Sequence, residues 1–342
     1  MGEHTTEAAS AGGSASTSGA IDLMVRFLGW GGLGLMVAYL LNNVLTYWFD
    51  FPGVGPVFGL GDVGNPPSTF LTIIQIGLYA AALGGALWLA FQAQRALRQE
   101  AERISSANAY LIRGCFWAVV YIGVCDGLIT FLYTLDVDEA VLGDGLSRLF
   151  LNSAGRGPFL HAPLILLGFV TAAFTKTLGF HWLALLVVVG ELGIVTGRFV
   201  FTFERTFMAD MVRFWYSSLF LFASAHTLLE DGHVRVDVFY ADMDDRAKGV
   251  VNAVGSLCLG MVLCWTILLI GTWSQASAIN APIYRLEVGQ QALGAQLKYL
   301  MASLLGVFAV TMLIQFTAML FEAVADQRGD PGKREKSSEI AH

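Results

Sequence analysis

Charged side chains are what this sequence has least of. Only 14% of its 342 residues are Asp, Glu, Lys or Arg, against 55% hydrophobic residues, whereas soluble domains carry roughly 25% charged residues. Such a chain cannot coat a water-facing surface in the usual way. A basic excess is missing too: the formal net charge is −7, and Lys and Arg are scattered singly between apolar runs, so no nucleic-acid partner is expected. Cysteine is scarce. Cys115, Cys125, Cys258 and Cys264 all sit inside apolar stretches with no Cys-x-x-Cys pair, which excludes a disulfide framework and a zinc site built on cysteine and leaves them as small buried hydrophobes. No Lys or Arg precedes Arg26. Residues 1–20 therefore lack the basic start of an export signal, and their small polar composition reads as a disordered tail. No Ser-His-Asp set, phosphate-cradling glycine loop or redox cysteine pair stands in a suitable context, so neither catalysis nor a cofactor is expected.

What the sequence does have is long apolar runs. Eight can be marked, from Leu23 to Trp48, Phe70 to Ala93, Tyr110 to Leu135, Leu160 to Thr177, His181 to Phe203, Met211 to Leu229, Gly249 to Trp273 and Tyr299 to Val324. Most reach the length of about 18 residues or more that spans a bilayer core. The fourth and fifth are separated only by Leu178, Gly179 and Phe180, so a tight hairpin and a single broken helix are both open. Pro163, at the start of the fourth run, is the one proline in these segments, and 38 glycines suit close helix packing in lipid. The fold class expected is all-α: a polytopic membrane bundle of about eight transmembrane helices.

Charge in the connections orients this map. Arg95, Arg98, Arg103 and Arg113 lie between the second and third runs. Arg235, Arg246 and Lys248 follow the sixth, and Arg328, Lys333, Arg334 and Lys336 follow the eighth. The connection between the first two runs has Asp50 and Asp62 and no Lys or Arg; the one after the third is acidic apart from Arg148 and Arg156. Cytoplasmic connections carry the Lys/Arg excess, so eight spans with both termini cytoplasmic satisfy the bias. Tyr47, Trp48, Trp88, Trp182, Trp215 and Trp273 fall near proposed span ends, as an interfacial aromatic belt requires. The first four and last four runs show no internal repeat of the kind built around a midplane substrate site.

The distinctive stretch starts at the end of the fifth run. It reads Arg198-Phe199-Val200-Phe201, then Phe207-Met208-Ala209-Asp210, then, after the sixth run, Glu230-Asp231-Gly232-His233-Val234-Arg235-Val236-Asp237-Val238-Phe239-Tyr240. An arginine near the end of an apolar span must snorkel or pair. Asp242 precedes Met243-Asp244-Asp245-Arg246, acidic residues suited to the start of a helix. Together these motifs resemble the small permease subunit of TRAP (tripartite ATP-independent periplasmic) transporters, with the Gly-His-Val-Arg-Val-Asp loop closest to the mannitol/chloroaromatic-type branch. The resemblance covers the last 150 to 165 residues or so, in line with an ordinary domain length. Phe207 and Asp210 stand where that family usually has Trp and Glu, Trp273 to Ser277 replace a more acidic segment, and Lys298 matches a lysine before the last span.

The resemblance implies a non-enzymatic subunit of a bacterial inner membrane. It would pack against the large permease subunit during sodium-coupled uptake of an organic acid delivered by a periplasmic solute-binding protein, with membrane lipid around it. Substrate and sodium ligands would lie in the large subunit. The expected organisation is a tail (1–20), an additional transmembrane region (21–178), a small-permease-like four-helix domain (179–326) and a charged cytoplasmic tail (327–342). The residues expected at a subunit interface, or as structural polar contacts, are Asp126, Glu191, Arg198, Asp210, His233, Arg235 and Asp237. Asp126, Glu191 and Arg198 are the ionisable groups deepest in the apolar runs, where a charge costs about 2.5 to 3.5 kcal/mol unless paired or hydrated. Glu191 and Arg198 share a helix face, roughly 10 Å apart along the axis.

Two other classes are weighed against this. A free-standing transporter or channel would use Asp126 and Glu191. A haem-binding redox protein would need His161, His181 or His226 facing one another across helices. His226 and Glu230 share a face at i, i+4 with His233 beyond, but nothing completes a ligand set, so no metal is expected.

Overall fold

The structure, a computed structural model, describes residues 4–55, 69–92, 95–176, 180–200, 202, 206–229, 240, 243–288 and 296–331. The described residues are helical apart from short connections. The main helices are α1 (His4–Trp48), α2 (Thr69–Gln92), α3 (Leu97–Thr134), α4 (Asp138–Leu142), α5 (Asp144–Phe150), α6 (Ser153–Phe174), α7 (Phe180–Val200), α8 (Thr206–Leu229), α9 (Arg246–Thr272), α10 (Asn280–Tyr284) and α11 (Lys298–Arg328). Helices α6 and α9 each contain a π-helical turn, Gly157–His161 and Gly255–Met261.

Among the described residues, seven helical stretches are long and apolar enough to cross a membrane: Gly19–Trp48 of α1, Phe70–Gln92, Leu97–Thr134, Ser153–Phe174, His181–Val200, Arg246–Thr272 and Lys298–Arg328. The chain is an all-helical, multi-pass membrane bundle. The expected sixth span, Met211–Leu229, is helical within α8 but is not among the seven. Arg213, Ser217, Ser218, Ser224 and His226 dilute its apolar character. The fourth and fifth runs form two helices: α6 ends where Thr175 turns extended (φ −105°, ψ 140°), and α7 begins at Phe180. Helix α1 starts at His4, so the helix extends into the polar segment 1–20. The basic stretch after the second run is largely the start of α3, where Leu97, Arg98, Gln99, Glu100, Ala101 and Glu102 are strong helix formers.

The chain forms two compact units, interleaved in sequence. The first comprises Met1–Ile104, Arg235–Val262 and Phe316–His342; the second comprises Ser105–Val234 and Leu263–Gln315. In the first unit, α1 packs along α2 and against the end of α11. Trp30 meets Phe321 edge-on at 6.5 Å. Ion pairs tie its polar end together, among them Arg26 to Glu100 at 3.1 Å, Arg98 to Asp326 at 2.9 Å, and Arg328 to Asp22 at 2.5 Å. At the other end of the α1–α2 hairpin, buried Gln75 accepts from the Gly53 N–H at 2.8 Å and donates to Asn42 at 2.9 Å and Thr46 at 3.1 Å. That amide satisfies groups which lipid could not.

The second unit has its own core around Phe116, Phe214, Phe222, Leu183, Leu268, Leu297 and Leu313, with Phe116 and Phe222 edge-on at 5.3 Å. Gly168 of α6 lies so close to α3 that a Cβ there would stand 2.5 Å from the Ala118 nitrogen, a backbone approach only glycine permits. Asn108 of α3 donates to the Thr311 carbonyl at 2.9 Å and to Gln315 Oε1 at 3.2 Å, an amide clamp between two apolar helices.

Candidate functional site

The second unit buries a charged cluster around Asp126. Asp126 sits on α3 with no solvent exposure. Its Oδ1 accepts from Arg156 Nη1 at 2.8 Å and lies 3.2 Å from His161 Nε2, while Oδ2 accepts from the Gln296 backbone N–H at 3.2 Å. Arg156 is 2% exposed and His161 1%.

Local sequence explains how Arg156 reaches inward. Asn152 caps the start of α6 by accepting from the Gly155 N–H at 3.0 Å. Gly155 is required: a Cβ there would stand 1.7 Å from the Leu149 carbonyl oxygen. Arg156 follows directly, and the π-turn that carries Pro158 rotates His161 onto the same buried face. The guanidinium is held on several sides. It donates to the Phe150 carbonyl at 2.6 Å and to Thr130 Oγ1 at 3.0 Å, and it lies 5.5 Å from the Tyr133 ring centroid. Tyr133 in turn donates to the Ser147 carbonyl, and the Ser147 hydroxyl donates to Asp138.

The far side of the cluster comes from the chain just before and within α11. Tyr299 hydrogen-bonds His161 Nδ1, and Gln296 Nε2 donates to the Leu151 carbonyl at 2.8 Å. Lys298 pairs with Glu287 at 2.7 Å beside it. When Nε2 carries the ring proton, His161 donates to Asp126 and its Nδ1 accepts from the Tyr299 hydroxyl. A buried carboxylate needs this much compensation, because desolvation outweighs a single attraction unless the remaining lone pairs are satisfied. The arrangement anchors helices. With both ring nitrogens of His161 engaged, it offers no vacant haem ligand.

A different surface runs along α7. Trp182, Leu185, Val188, Val189, Leu192 and Phe199 are exposed, and only 6% of its span is buried within the chain. Glu191 lies exposed in the middle of this helix and Arg198 exposed near its end. Behind α7, an apolar cleft of about 380 Å³ is bordered by Gly127, Leu128, Gly190, Gly193, Met211 and Trp215 of α3, α7 and α8, and the buried Trp215 Nε1 has no hydrogen-bond partner among the described residues.

The residues expected from sequence thus separate. Asp126 is buried in the ionic cluster, and Glu191 and Arg198 lie on the open face of α7. Asp210 is half-buried on α8 and 3.6 Å from Arg213. His233, Arg235 and Asp237 lie outside the described residues, as does Glu230. Sequence reasoning did not bring Arg156, His161, Gln296 and Tyr299 to Asp126. The usable signal was the run Asn152-Ser153-Ala154-Gly155-Arg156-Gly157-Pro158, a capped, glycine-flanked arginine leading into a span that faces a helix with an unaccounted carboxylate. Among the described residues, no group of three or more His, Cys, Asp or Glu side chains could hold a metal ion.

No curated protein and no solved structure matches the chain. Residues 184–326, from α7 to the end of α11, match the family model described as Tripartite ATP-independent periplasmic transporters, DctQ component, a family of transporter subunits and not of enzymes.

Proposed function

We propose that this chain is the small membrane subunit of a TRAP-type secondary transporter in the bacterial inner membrane. It packs against a large permease subunit and supports sodium-coupled uptake of an organic acid, or a similar solute, delivered by a periplasmic binding protein. The match over residues 184–326 carries this reading. The open face of α7 supports it. A carboxylate in the middle of a span that faces hydrocarbon costs about 2.5 to 3.5 kcal/mol, and a partner helix with a donor or a cation removes that cost for Glu191.

Residues 1–20 and 327–342 are tails in this reading, residues 21–178 are additional spans, and 179–326 form the small-permease-like part. The additional spans act as a built-in brace, since Asp126 accepts from the Gln296 backbone N–H, the Leu151 carbonyl accepts from the Gln296 side chain and His161 bonds Tyr299 of the matched segment. Arg198, Asp210 and the His233–Asp237 loop contribute contacts to the large subunit.

The test is a tagged pull-down from native membranes in mild detergent, with co-purifying proteins identified by mass spectrometry. A large multi-span permease recovered in equal amount supports the reading, and its loss on neutralising Arg198, Arg235 and Asp237 assigns those contacts. A folded chain that purifies alone overturns it.

A further inference from the structure

The first unit contains a cavity that the subunit role does not use. It is a half-open cleft of about 780 Å³ where the end of α2 meets the start of α3, and its lining includes Trp30, Trp88, Leu89, Arg95, Glu100 and Arg103. Its charge balance is one-sided. Glu100 is already committed: Oε1 accepts from Arg26 Nε at 3.1 Å and Oε2 from Trp30 Nε1 at 3.1 Å. Arg26 also donates to the Arg95 backbone carbonyl at 2.5 Å, which fixes the chain at the mouth. Arg95 and Arg103 are exposed, and neither guanidinium has a carboxylate partner among the described residues. The cavity therefore presents two guanidinium groups without carboxylate partners, the donor chemistry that recognises phosphate oxygens.

The opposite wall is apolar. Trp88 and Leu89 are exposed on α2 and continue into the exposed Leu87, Phe91 and Leu83 of the same helix. Trp88 lies four residues from the end of the Phe70–Gln92 span, the depth at which tryptophan belts meet lipid headgroups. A soluble anion would use the arginines and leave this wall bare. A phospholipid uses both.

We propose that this cavity is a binding site for an anionic phospholipid, with its phosphate against Arg95 and Arg103 and an acyl chain along Trp88 and Leu89. Basic pockets at the cytoplasmic ends of membrane helices select anionic headgroups in this way.

The test uses the full-length chain, stripped of lipid in detergent and studied by native mass spectrometry. Phosphatidylglycerol, phosphatidylcholine and inorganic phosphate are the probes. The expected result is a retained phosphatidylglycerol adduct, weakened about tenfold or more in R95Q/R103Q, since each basic group contributes about a fivefold preference. R148Q, which removes an exposed arginine elsewhere, keeps full retention. Inorganic phosphate does not displace the lipid. Equal retention by wild type and R95Q/R103Q overturns the proposal, as does equal retention of phosphatidylcholine. Displacement by inorganic phosphate also overturns it, in favour of a soluble-anion site. Should the double variant not elute as a folded species, Trp88→Ala with both arginines intact provides the second reading: weakened retention supports the site and unchanged retention removes it.

Discussion

Asp126 and Arg156 are thirty positions apart in sequence and 2.8 Å apart in space, both without meaningful contact with solvent. Each explains the other's burial. Removing one partner of such a pair leaves an uncompensated charge and costs about 3 to 5 kcal/mol.

Arg156→Met and Asp126→Asn should each lower stability in detergent by about that amount, while the double variant should lose clearly less than the sum. Thermal unfolding of the four proteins measures the coupling. Strictly additive losses would mean that the ion pair does not hold the helices together.

Gly155→Ala tests the same cluster through the backbone. The new methyl would stand 1.7 Å from the Leu149 carbonyl oxygen, so the turn must open and withdraw Arg156. A loss of about 1 to 3 kcal/mol or more is expected, and it should largely vanish when Arg156→Met is already present. An unchanged melting temperature would show that the turn relaxes without moving the arginine.

Tyr299→Phe removes the hydroxyl bonded to His161 Nδ1. The imidazole nitrogen stays buried without its partner, at a cost of about 1 to 3 kcal/mol. His161→Phe with Tyr299→Phe should recover part of that loss, since two apolar rings leave nothing unsatisfied; melting curves of the three variants decide it.

Membrane topology turns on α8. If Thr206–Leu229 crosses the bilayer, the basic residues Arg246 and Lys248 lie on the same side as Arg95 to Arg113 and Arg328, as the positive-inside bias demands. Green fluorescent protein fused after Arg328 should then fluoresce, and alkaline phosphatase fused there should be inactive. The opposite pair of results would mean that α8 does not cross.

Glu191→Gln should leave the melting temperature of the isolated chain within about 0.5 kcal/mol in free-energy terms, as exposed substitutions do. Glu191→Lys should sharply reduce recovery of the large permease partner if that partner supplies a cation. Full recovery of the partner by both variants would remove Glu191 from the interface.

Much of the architecture was legible in the sequence because hydrocarbon imposes its own arithmetic: runs of apolar residues long enough to span must be helices. The break between α2 and α3 falls at the basic stretch from Arg95, whereas Leu178, Gly179 and Phe180 leave both a hairpin and one broken helix open between the fourth and fifth runs. The segment of α8 was harder, since Arg213 and its serines make it less apolar than the other spans. The buried cluster was only half legible. Asp126 stands out as a carboxylate in an apolar run, yet Arg156 and His161 sit where interfacial residues belong, and only the turn at Gly155 and the wide turn at Pro158 carry them inward. Gln296 and Tyr299 come from more than a hundred residues further on, a distance at which spacing carries no information.

The shared network around Asp126 also decides what can be taken apart. Cutting the chain before α7 would free the segment that matches a known subunit, but it would strip the Gln296 amide, the Tyr299 hydroxyl and their neighbours of partners supplied by α3 and α6. Those groups would meet acyl chains in place of hydrogen-bond partners. A minimal version of this protein, whether made by a protease, by alternative translation or by design, would therefore keep the matched segment without a bilayer-compatible interior. Breeding a shorter functional form would first require replacing that inherited polarity with hydrocarbon.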